Sequence, residues 1–242
     1  MKKTVLLILA ACATLMLCAC GGSSKKLVMA TNAAFPPYEY VEGNEIVGID
    51  AEIAKLIADD IGRELVIEDM AFDSVIAAVQ TGKADIAMAG LTITEDRKQN
   101  INFSDPYTEA AQVIIVKTDS PVASPDDLEG KTIGVQIGTT GDIYAEDIEG
   151  ATIERYSKYF EAINALTQDK IDAVIVDREP AKVFVSENAD LKLIDEEFTL
   201  EEYAIGVAKE NTELLDQINA SLKKLQDSGK IDEIINKYIS AE

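Results

Sequence analysis

The chain has 242 residues, of which 44 are acidic and 22 basic, so its formal net charge is −22. This excess of acids argues against a nucleic acid as partner, because phosphate binding needs clustered Lys and Arg. The sequence has no His, which excludes His-based acid–base catalysis, Ser-His-Asp triads and His-ligated metal sites.

The first residues have the features of a secretory signal peptide. Lys2 and Lys3 precede the apolar run "TVLLILAACATLMLCA" at residues 4–19, which is too short for a comfortable membrane span. The run ends in "LCAC" before "GGSS", a string that is similar to the lipobox of bacterial lipoproteins. We therefore predict a signal peptide at 1–19, a lipidated Cys20 and a flexible tether that, with Cys20, covers 20–26.

Two alternatives remain at this end of the chain. Cys20 could be another small apolar residue of an ordinary signal peptide. A second lipobox-like string, "LAAC" at 9–12, follows a shorter apolar stretch. If Cys12 and Cys18 leave with the signal peptide, one Cys remains, which allows neither a disulfide nor a Cys-based metal site. We therefore expect neither a metal nor another cofactor.

Beyond residue 26, short apolar runs alternate with amphipathic stretches. We predict strands at "KLVMAT", "ELVIEDM" and "ADIAMAG". Between them we predict a helix at 50–62, with Asp50 as its N-cap and Gly62 as its stop, and another at "FDSVIAAVQTGK". This alternation of strands and helices predicts parallel sheets with crossover helices, and hence an α/β fold.

A second set of elements begins near residue 112. Its predicted strands are "QVIIVK", "KTIGVQ", "TIERY", "DAVIVD" and "YAIGVA", and its predicted helices are "SPDDLEG", "TTGDIYAED", "FEAINALTQDK" and two within 212–227 and 230–239. The segments 75–90 and 162–177 share one plan of helix, turn and buried strand. We interpret this as two similar lobes, each a small sheet with helices, although one continuous sheet is the alternative.

Five strings together carry a resemblance to a known family: "ATNAAFPPYEY", "VGIDAEIAKLIADDIG", "AGLTITEDRKQNINFSDPY", "GKTIGVQIGTTGD" and "DAVIVD". From about residue 26 to its end, the chain resembles the extracytoplasmic amino-acid-binding proteins of ABC importers. The resemblance implies the two-lobed clamshell of the periplasmic binding proteins, with lobe 1 at 27–110 plus 204–242 and lobe 2 at 111–203. It places the hinges near Glu109–Gln112 and Glu202–Ala204.

The implied function is that of a monomeric, extracytoplasmic receptor, anchored by lipid at Cys20. It would bind a free polar L-amino acid between its lobes and deliver it to an ABC permease. One rival is a cyclohexadienyl dehydratase-like enzyme on the same fold, which needs a proton donor for which no candidate stands out. Another is a membrane receptor's sensor domain, against which the absence of a later apolar run argues.

A closed cleft that buries a free amino acid needs partners for both of its charges. The resemblance assigns the ligand carboxylate to Arg97, whose guanidinium can donate two parallel hydrogen bonds. It assigns the ammonium to Asp177, at the carboxyl end of a predicted strand. The alternatives are a surface ion pair of Arg97 with Glu95 or Asp96, and an N-cap role for Asp177.

The other predicted site residues supply dipoles and walls, although ordinary capping and core packing are the alternatives. Gly90 would let the backbone approach the ligand, and Thr residues would donate hydrogen bonds. Aromatic rings would enclose the aliphatic part of the ligand. The full set of these residues is Gly90, Thr92, Thr139 and Thr140 for the dipoles, and Phe35, Phe72 and Tyr38 for the walls.

The ligand side chain would be selected at positions where members of the family differ, namely Asn32, Ala89, Gln136 and Val176. Side-chain amides suit an amide or hydroxyl partner, so we expect a polar L-amino acid, with a neutral side chain somewhat favoured. A cationic side chain would need one of three carboxylates to face the cleft: Glu39, Asp73 or Asp142.

Overall fold

Two separate five-stranded sheets form the framework of the protein in a computed structural model, which describes residues 25–239 except for the side chains of 195, 197 and 198. The predicted signal peptide and Cys20 lie outside the described residues. In chain order the strands are β1 (Lys25–Thr31), β2 (Ala34–Phe35), β3 (Glu39–Glu42), β4 (Glu45–Val47), β5 (Arg63–Asp69), β6 (Ile86–Ala87), β7 (Asn102–Phe103), β8 (Thr108–Lys117), β9 (Thr132–Gln136), β10 (Thr152–Tyr156), β11 (Ala173–Asp177), β12 (Leu191–Tyr203) and β13 (Gly206–Val207).

Helices connect most of these strands. They are α1 (Ile49–Asp60), α2 (Phe72–Gln80), α3 (Glu95–Asn100), α4 (Thr140–Glu146), α5 (Tyr159–Thr167), α6 (Arg178–Glu187), α7 (Thr212–Asp227) and α8 (Lys230–Tyr238). A short 3-10 helix covers Pro125–Leu128, and Ser124 and Asp127 form its capping box. In the part of the chain that the structure describes, no helix is long and apolar enough to span a membrane.

The first sheet has the order β5-β1-β6-β13-β7. Strand β1 lies parallel to β5 and β6, and β13 joins the sheet in the antiparallel direction. The chain therefore leaves this lobe after β7 and returns to it after β12. The predicted α/β fold with two lobes is confirmed, and the single continuous sheet is excluded.

The second sheet has the order β10-β9-β11-β8-β12. Strand β11 is parallel to β9 and antiparallel to β8. The long strand β12 pairs with β8, with Glu202 opposite Glu109 and Tyr203 opposite Thr108. The two stretches of chain that cross between the lobes thus lie side by side.

The predicted strand "YAIGVA" divides between the two sheets. Tyr203 ends β12 in the second sheet, whereas Gly206 and Val207 form β13 in the first. Strand β12 itself was not predicted from "LKLIDEEFTLEEY", because an acid-rich segment lacks the apolar alternation of a half-buried strand.

The prediction that Asp50 caps α1 is wrong. The helix begins at Ile49 and its N-cap is Gly48, while Asp50 lies fully buried in the first turn. Gly48 has φ 122°, and a Cβ there would lie 2.2 Å from the Tyr38 carbonyl oxygen, so only Gly fits. Asp50 is thereby free to bind elsewhere: its carboxylate accepts a hydrogen bond from the Gly90 N–H at 2.9 Å.

Candidate functional site

A narrow cavity lies between the two sheets and is lined from both lobes. Of the thirteen residues that the sequence analysis assigned to the ligand site, Tyr38 and the buried Val176 are absent from its lining, and eleven lie around it: Asn32, Phe35, Phe72, Ala89, Gly90, Thr92, Arg97, Gln136, Thr139, Thr140 and Asp177. Two further residues, Glu39 and Tyr159, complete the lining. The position of these residues fits their predicted role, and ligand contact itself stays a prediction.

Arg97 is held in the cavity wall by the start of α3. The Thr94 hydroxyl caps this helix by accepting a hydrogen bond from the Arg97 N–H at 3.1 Å. The guanidinium donates to the Thr92 carbonyl at 2.8 Å and to the Gly138 carbonyl of the other lobe at 3.0 Å. It also stacks 5.5 Å from the centroid of the Phe72 ring.

The Arg97 side chain is 6% exposed, and no carboxylate among the described side chains forms an ion pair with it. The alternative of a surface ion pair with Glu95 or Asp96 does not occur, because Arg97 is buried and Glu95 pairs instead with Lys98 at 2.8 Å. Burial lowers the pKa of Arg97, against the opposing effect of the negative charges of Glu201 and Asp177. A buried cation with only carbonyl partners is suited to an anionic ligand group.

Asp177 faces the cavity from the carboxyl end of β11. Asp177 is the N-cap residue of α6, as the alternative had it, but its side chain forms no capping hydrogen bond with the helix. Instead it accepts a hydrogen bond from the Tyr203 hydroxyl. Burial, and then the charge of Glu201, raise the pKa of Asp177 to about 7. The carboxylate would be stabilised by a cationic ligand group.

Glu201 is a buried carboxylate that the sequence analysis did not find. It accepts hydrogen bonds from the Thr92 hydroxyl at 2.8 Å and from the Gln112 side chain at 3.2 Å. Gln112 also donates to the Thr140 hydroxyl at 3.3 Å. This network connects a residue of the first lobe to the base of the second, next to Arg97 and Asp177.

Gly90 brings backbone to the cavity wall at a position where a side chain would clash. Its φ is +53°, and an added Cβ would lie 2.9 Å from the Phe35 ring. On the opposite wall, the Thr139 hydroxyl caps α4 by accepting from the Asp142 N–H at 3.2 Å. Capping and cavity lining therefore coexist at Thr139.

Aromatic rings form two sides of the cavity, as predicted for Phe35 and Phe72. Phe35 stacks on Tyr159 of the other lobe, with 5.6 Å between ring centroids. Tyr38 is different: it is buried behind Phe35, packs edge-on against Tyr203, and is absent from the lining of this cavity. The expectation that Tyr38 forms a wall of this cavity is wrong, because Phe35 lies in front of it.

The two amide side chains predicted to select the ligand bind each other across the lobes. Gln136 donates to Asn32 at 2.9 Å and to the Ser157 carbonyl at 2.9 Å, while Asn32 donates to the Met70 carbonyl at 2.7 Å. Much of their hydrogen-bonding capacity is thereby used within the protein. The expected preference for a neutral side chain, which rested on these amides, loses its basis.

Of the three acids that could have faced the cleft, only Glu39 does. Its side chain is 1% exposed, and in the described part of the chain neither of its oxygens has a hydrogen-bond donor. Asp142 forms an ion pair with Arg155 at 2.8 Å and accepts a hydrogen bond from the Gly138 N–H at 3.0 Å. Asp73 lies outside the cavity lining.

Comparison with known proteins identifies the family that shares this architecture. A model of the bacterial extracellular solute-binding proteins, family 3, matches residues 27–241. The chain is 35% identical to the arginine-binding extracellular protein ArtP of Bacillus subtilis (strain 168), over 100% of both sequences.

Solved structures agree with this similarity. A crystal structure of a mutant of ArgBP from T. maritima superimposes with a TM-score of 0.86 at 43% identity, covering 89% of this chain and 96% of that one. An ancestral arginine-binding protein bound to glutamine superimposes with a TM-score of 0.83 at 37% identity, covering 89% of this chain and 98% of that one.

Proposed function

Because the chain belongs to family 3 of the bacterial extracellular solute-binding proteins, we propose that the amino acid it delivers to its ABC importer is L-arginine. The observation that carries this proposal is Glu39, a buried carboxylate in the cavity wall without a donor among the described residues. A cationic side chain would supply the missing partner. The arginine-binding relatives support the same choice.

Arginine carries three charged groups, and the cavity has a complement for each. Arg97 would bind the α-carboxylate with its guanidinium fork. Asp177 would take the α-ammonium, and Glu39 would take the guanidinium. The rings of Phe35, Phe72 and Tyr159 would cover the aliphatic chain between these ends.

We expect a thermal-shift panel of the twenty amino acids, with ornithine and citrulline added, to single out arginine. At a hundred times its dissociation constant a ligand stabilises the protein by about 2.7 kcal/mol. For a chain of this size that corresponds to a rise in Tm of roughly 5–11 °C. Glu39→Gln should abolish the preference for arginine over citrulline, whereas Glu42→Gln, an exposed acid of the same strand, should retain it.

Two other results would contradict the proposal in different ways. A shift with glutamine and none with arginine would mean that the site prefers a neutral amino acid, as the glutamine-bound ancestral protein shows to be feasible in an arginine binder. A panel without any shift would mean that the chain does not act as an amino-acid receptor. The dehydratase alternative is not favoured, because the similar proteins are binding proteins.

Closure of the lobes on the ligand would take place at the paired crossings. We place the hinges near Glu109–Gln112 and Glu202–Ala204, with lobe 1 at 27–110 plus 204–242 and lobe 2 at 111–203. The proposal is supported by the positions of β8 and β12, which begin and end at this border. We propose that the receptor works as a monomer, since both walls of the cavity come from one chain.

The lipid anchor at Cys20 has a separate test. We expect Cys20→Ser to move the protein from the membrane fraction to the soluble fraction, because one thiol would carry the lipid. Arginine affinity should stay the same, since Asn32 is the first residue in the chain that lines the cavity. Cys12→Ser, in the other lipobox-like string, is the matched control and should remain attached. Membrane attachment of the Cys20 variant would show that the anchor lies elsewhere.

A further inference from the structure

Two buried carboxyl groups, those of Glu39 and Asp50, meet behind the cavity wall. Glu39 is the first residue of β3 and lines the cavity, while Asp50 lies in the first turn of α1 and is absent from the lining. The Asp50 N–H donates a hydrogen bond to the carbonyl of Tyr38, the residue next to Glu39, at 2.9 Å, so the first turn of α1 lies against the start of β3. Both residues are almost completely buried, with exposures of 1% and 0%.

The surroundings distinguish the two groups. Asp50 accepts a hydrogen bond on each oxygen, from the Gly90 N–H at 2.9 Å and from the Tyr107 hydroxyl at 2.7 Å. Glu39 accepts none from the residues that the structure describes. Two neighbouring buried carboxylates repel, so one of them keeps a proton. The donors at Asp50 favour its ionised form, which leaves the proton on Glu39.

The charges around the pair agree with this assignment. Burial, and then the charge of Asp50, raise the pKa of Glu39 well above its ordinary value. Burial raises the pKa of Asp50 to about 6, against the opposing effect of its hydrogen bonds. The other titratable groups that act on Glu39 are Asp177, Tyr38 and Tyr107, and none of them is a cation.

We propose that Glu39 and Asp50 share a single proton in the ligand-free protein, and that a guanidinium bound at Glu39 displaces this proton into solvent. The inference rests on the proposed function, since it takes arginine as the ligand. A neutral side chain of the same shape would leave the proton in place. Asp50 is therefore a residue that determines specificity through Glu39, without touching the ligand.

The direction of the pH effect follows from the proton balance. Arginine binding requires ionised Glu39, so the affinity for arginine rises with pH while the pair still holds its proton. Binding of citrulline, in which a neutral urea replaces the guanidinium, releases no proton from the pair. Asp177 affects both ligands equally, because both carry an α-ammonium, and its effect cancels in the ratio of their affinities. One proton limits the change in this ratio to tenfold per pH unit.

The test is isothermal titration calorimetry of the whole protein with arginine and with citrulline, in buffers of different ionisation enthalpy between pH 5.5 and 8. We expect arginine to release about one proton more than citrulline over part of this range. The preference for arginine should rise with pH over the same interval. Equal proton release by the two ligands would overturn the inference while leaving arginine binding intact.

Variants distinguish a shared proton from a purely structural role of the two carboxyl groups. Glu39→Gln should make the ratio of the affinities for arginine and citrulline independent of pH. Glu42→Gln should keep the pH dependence that this ratio has in the native protein. Asp50→Asn should shift the profile to lower pH, because Glu39 then ionises without a neighbouring charge. An unchanged profile in a folded Asp50 variant would contradict the inference. If Asp50→Asn does not fold, the proton count of the native protein still decides.

If citrulline binds and arginine does not, the proposed function fails and the inference fails with it. That outcome differs from arginine binding with equal proton release, which contradicts only the shared proton.

Discussion

Replacing Arg97 with Ala should raise the dissociation constant of the ligand roughly 10²-fold to several thousandfold, while the protein stays folded. Removing one partner of a buried ion pair typically costs about 3–5 kcal/mol, and each 1.4 kcal/mol is a factor of ten. The α-carboxylate would lose its cation in a cavity that water reaches poorly. Arg97→Lys should also weaken binding, because an ammonium cannot reproduce the fork that contacts a carboxylate with two hydrogen bonds.

Arg97→Ala should leave the ligand-free protein folded, with a stability close to that of the native one. The substitution relieves the cost of burying a cation, but the Thr92 and Gly138 carbonyls lose a donor and the nearby Glu201 and Asp177 lose a positive charge, so the effects oppose one another. Calorimetry gives the affinity and thermal melting gives the stability. Lys98→Ala, an exposed neighbour on α3, is the control and should bind normally. Native affinity in the Arg97 variant would refute its assignment to the carboxylate.

Replacing Asp177 with Asn should weaken binding by a similar factor, because the α-ammonium would lose its counter-charge at nearly constant side-chain shape. Asn can still accept the hydrogen bond of the Tyr203 hydroxyl, so the fold should survive. The matched control is Asp172→Asn, at the position that precedes β11. The Asp172 carboxylate is exposed, and its hydrogen bond comes from the Thr132 N–H. Unchanged affinity in the Asp177 variant would contradict the assignment.

The pH dependence of Asp177 gives this prediction a second measurement. Burial and Glu201 raise the pKa of Asp177 to about 7 in the folded protein, above the ordinary value of about 4. Between these values the folded state binds more protons than the unfolded state, so the stability of the ligand-free protein falls as pH rises. The bound ammonium needs the carboxylate, so affinity rises over the same window. Asp177→Asn should remove the contribution of this carboxyl group to the pH dependence of both the stability and the affinity.

Much of the cavity was predictable because its residues lie in short, contiguous strings. Gly90, Thr92 and Arg97 fall within eight positions of one another, and the structure places all three on one wall. The alternation of apolar and amphipathic segments likewise predicted most helices, because their periodicity is local. The resemblance to a family then supplied roles that residue patterns alone left open.

The residues that sequence reasoning missed depend on distant parts of the chain. Glu201 accepts a hydrogen bond from Thr92, which is 109 positions away, and no local sequence pattern predicts such a pair. Glu39 was one of three candidate acids that the sequence could not place, because in "PYEYVEG" an alternating strand would turn it away from the aromatic face of Tyr38. The hairpin of β2, β3 and β4 instead buries both residues. The carboxyl pair with Asp50 depends on this hairpin and on the unexpected start of α1.

At the proposed hinges, the ladder between β8 and β12 would restrict how the receptor opens. Glu109 lies opposite Glu202 and Thr108 opposite Tyr203, so hydrogen bonds tie the two crossing strands into one ribbon. A two-stranded ribbon bends readily across its face but resists shear in its own plane, because shear would break several backbone hydrogen bonds at once. The lobes would then move apart mainly by bending of this ribbon. The ligand would enter and leave on the side of the cavity that lies opposite the ribbon.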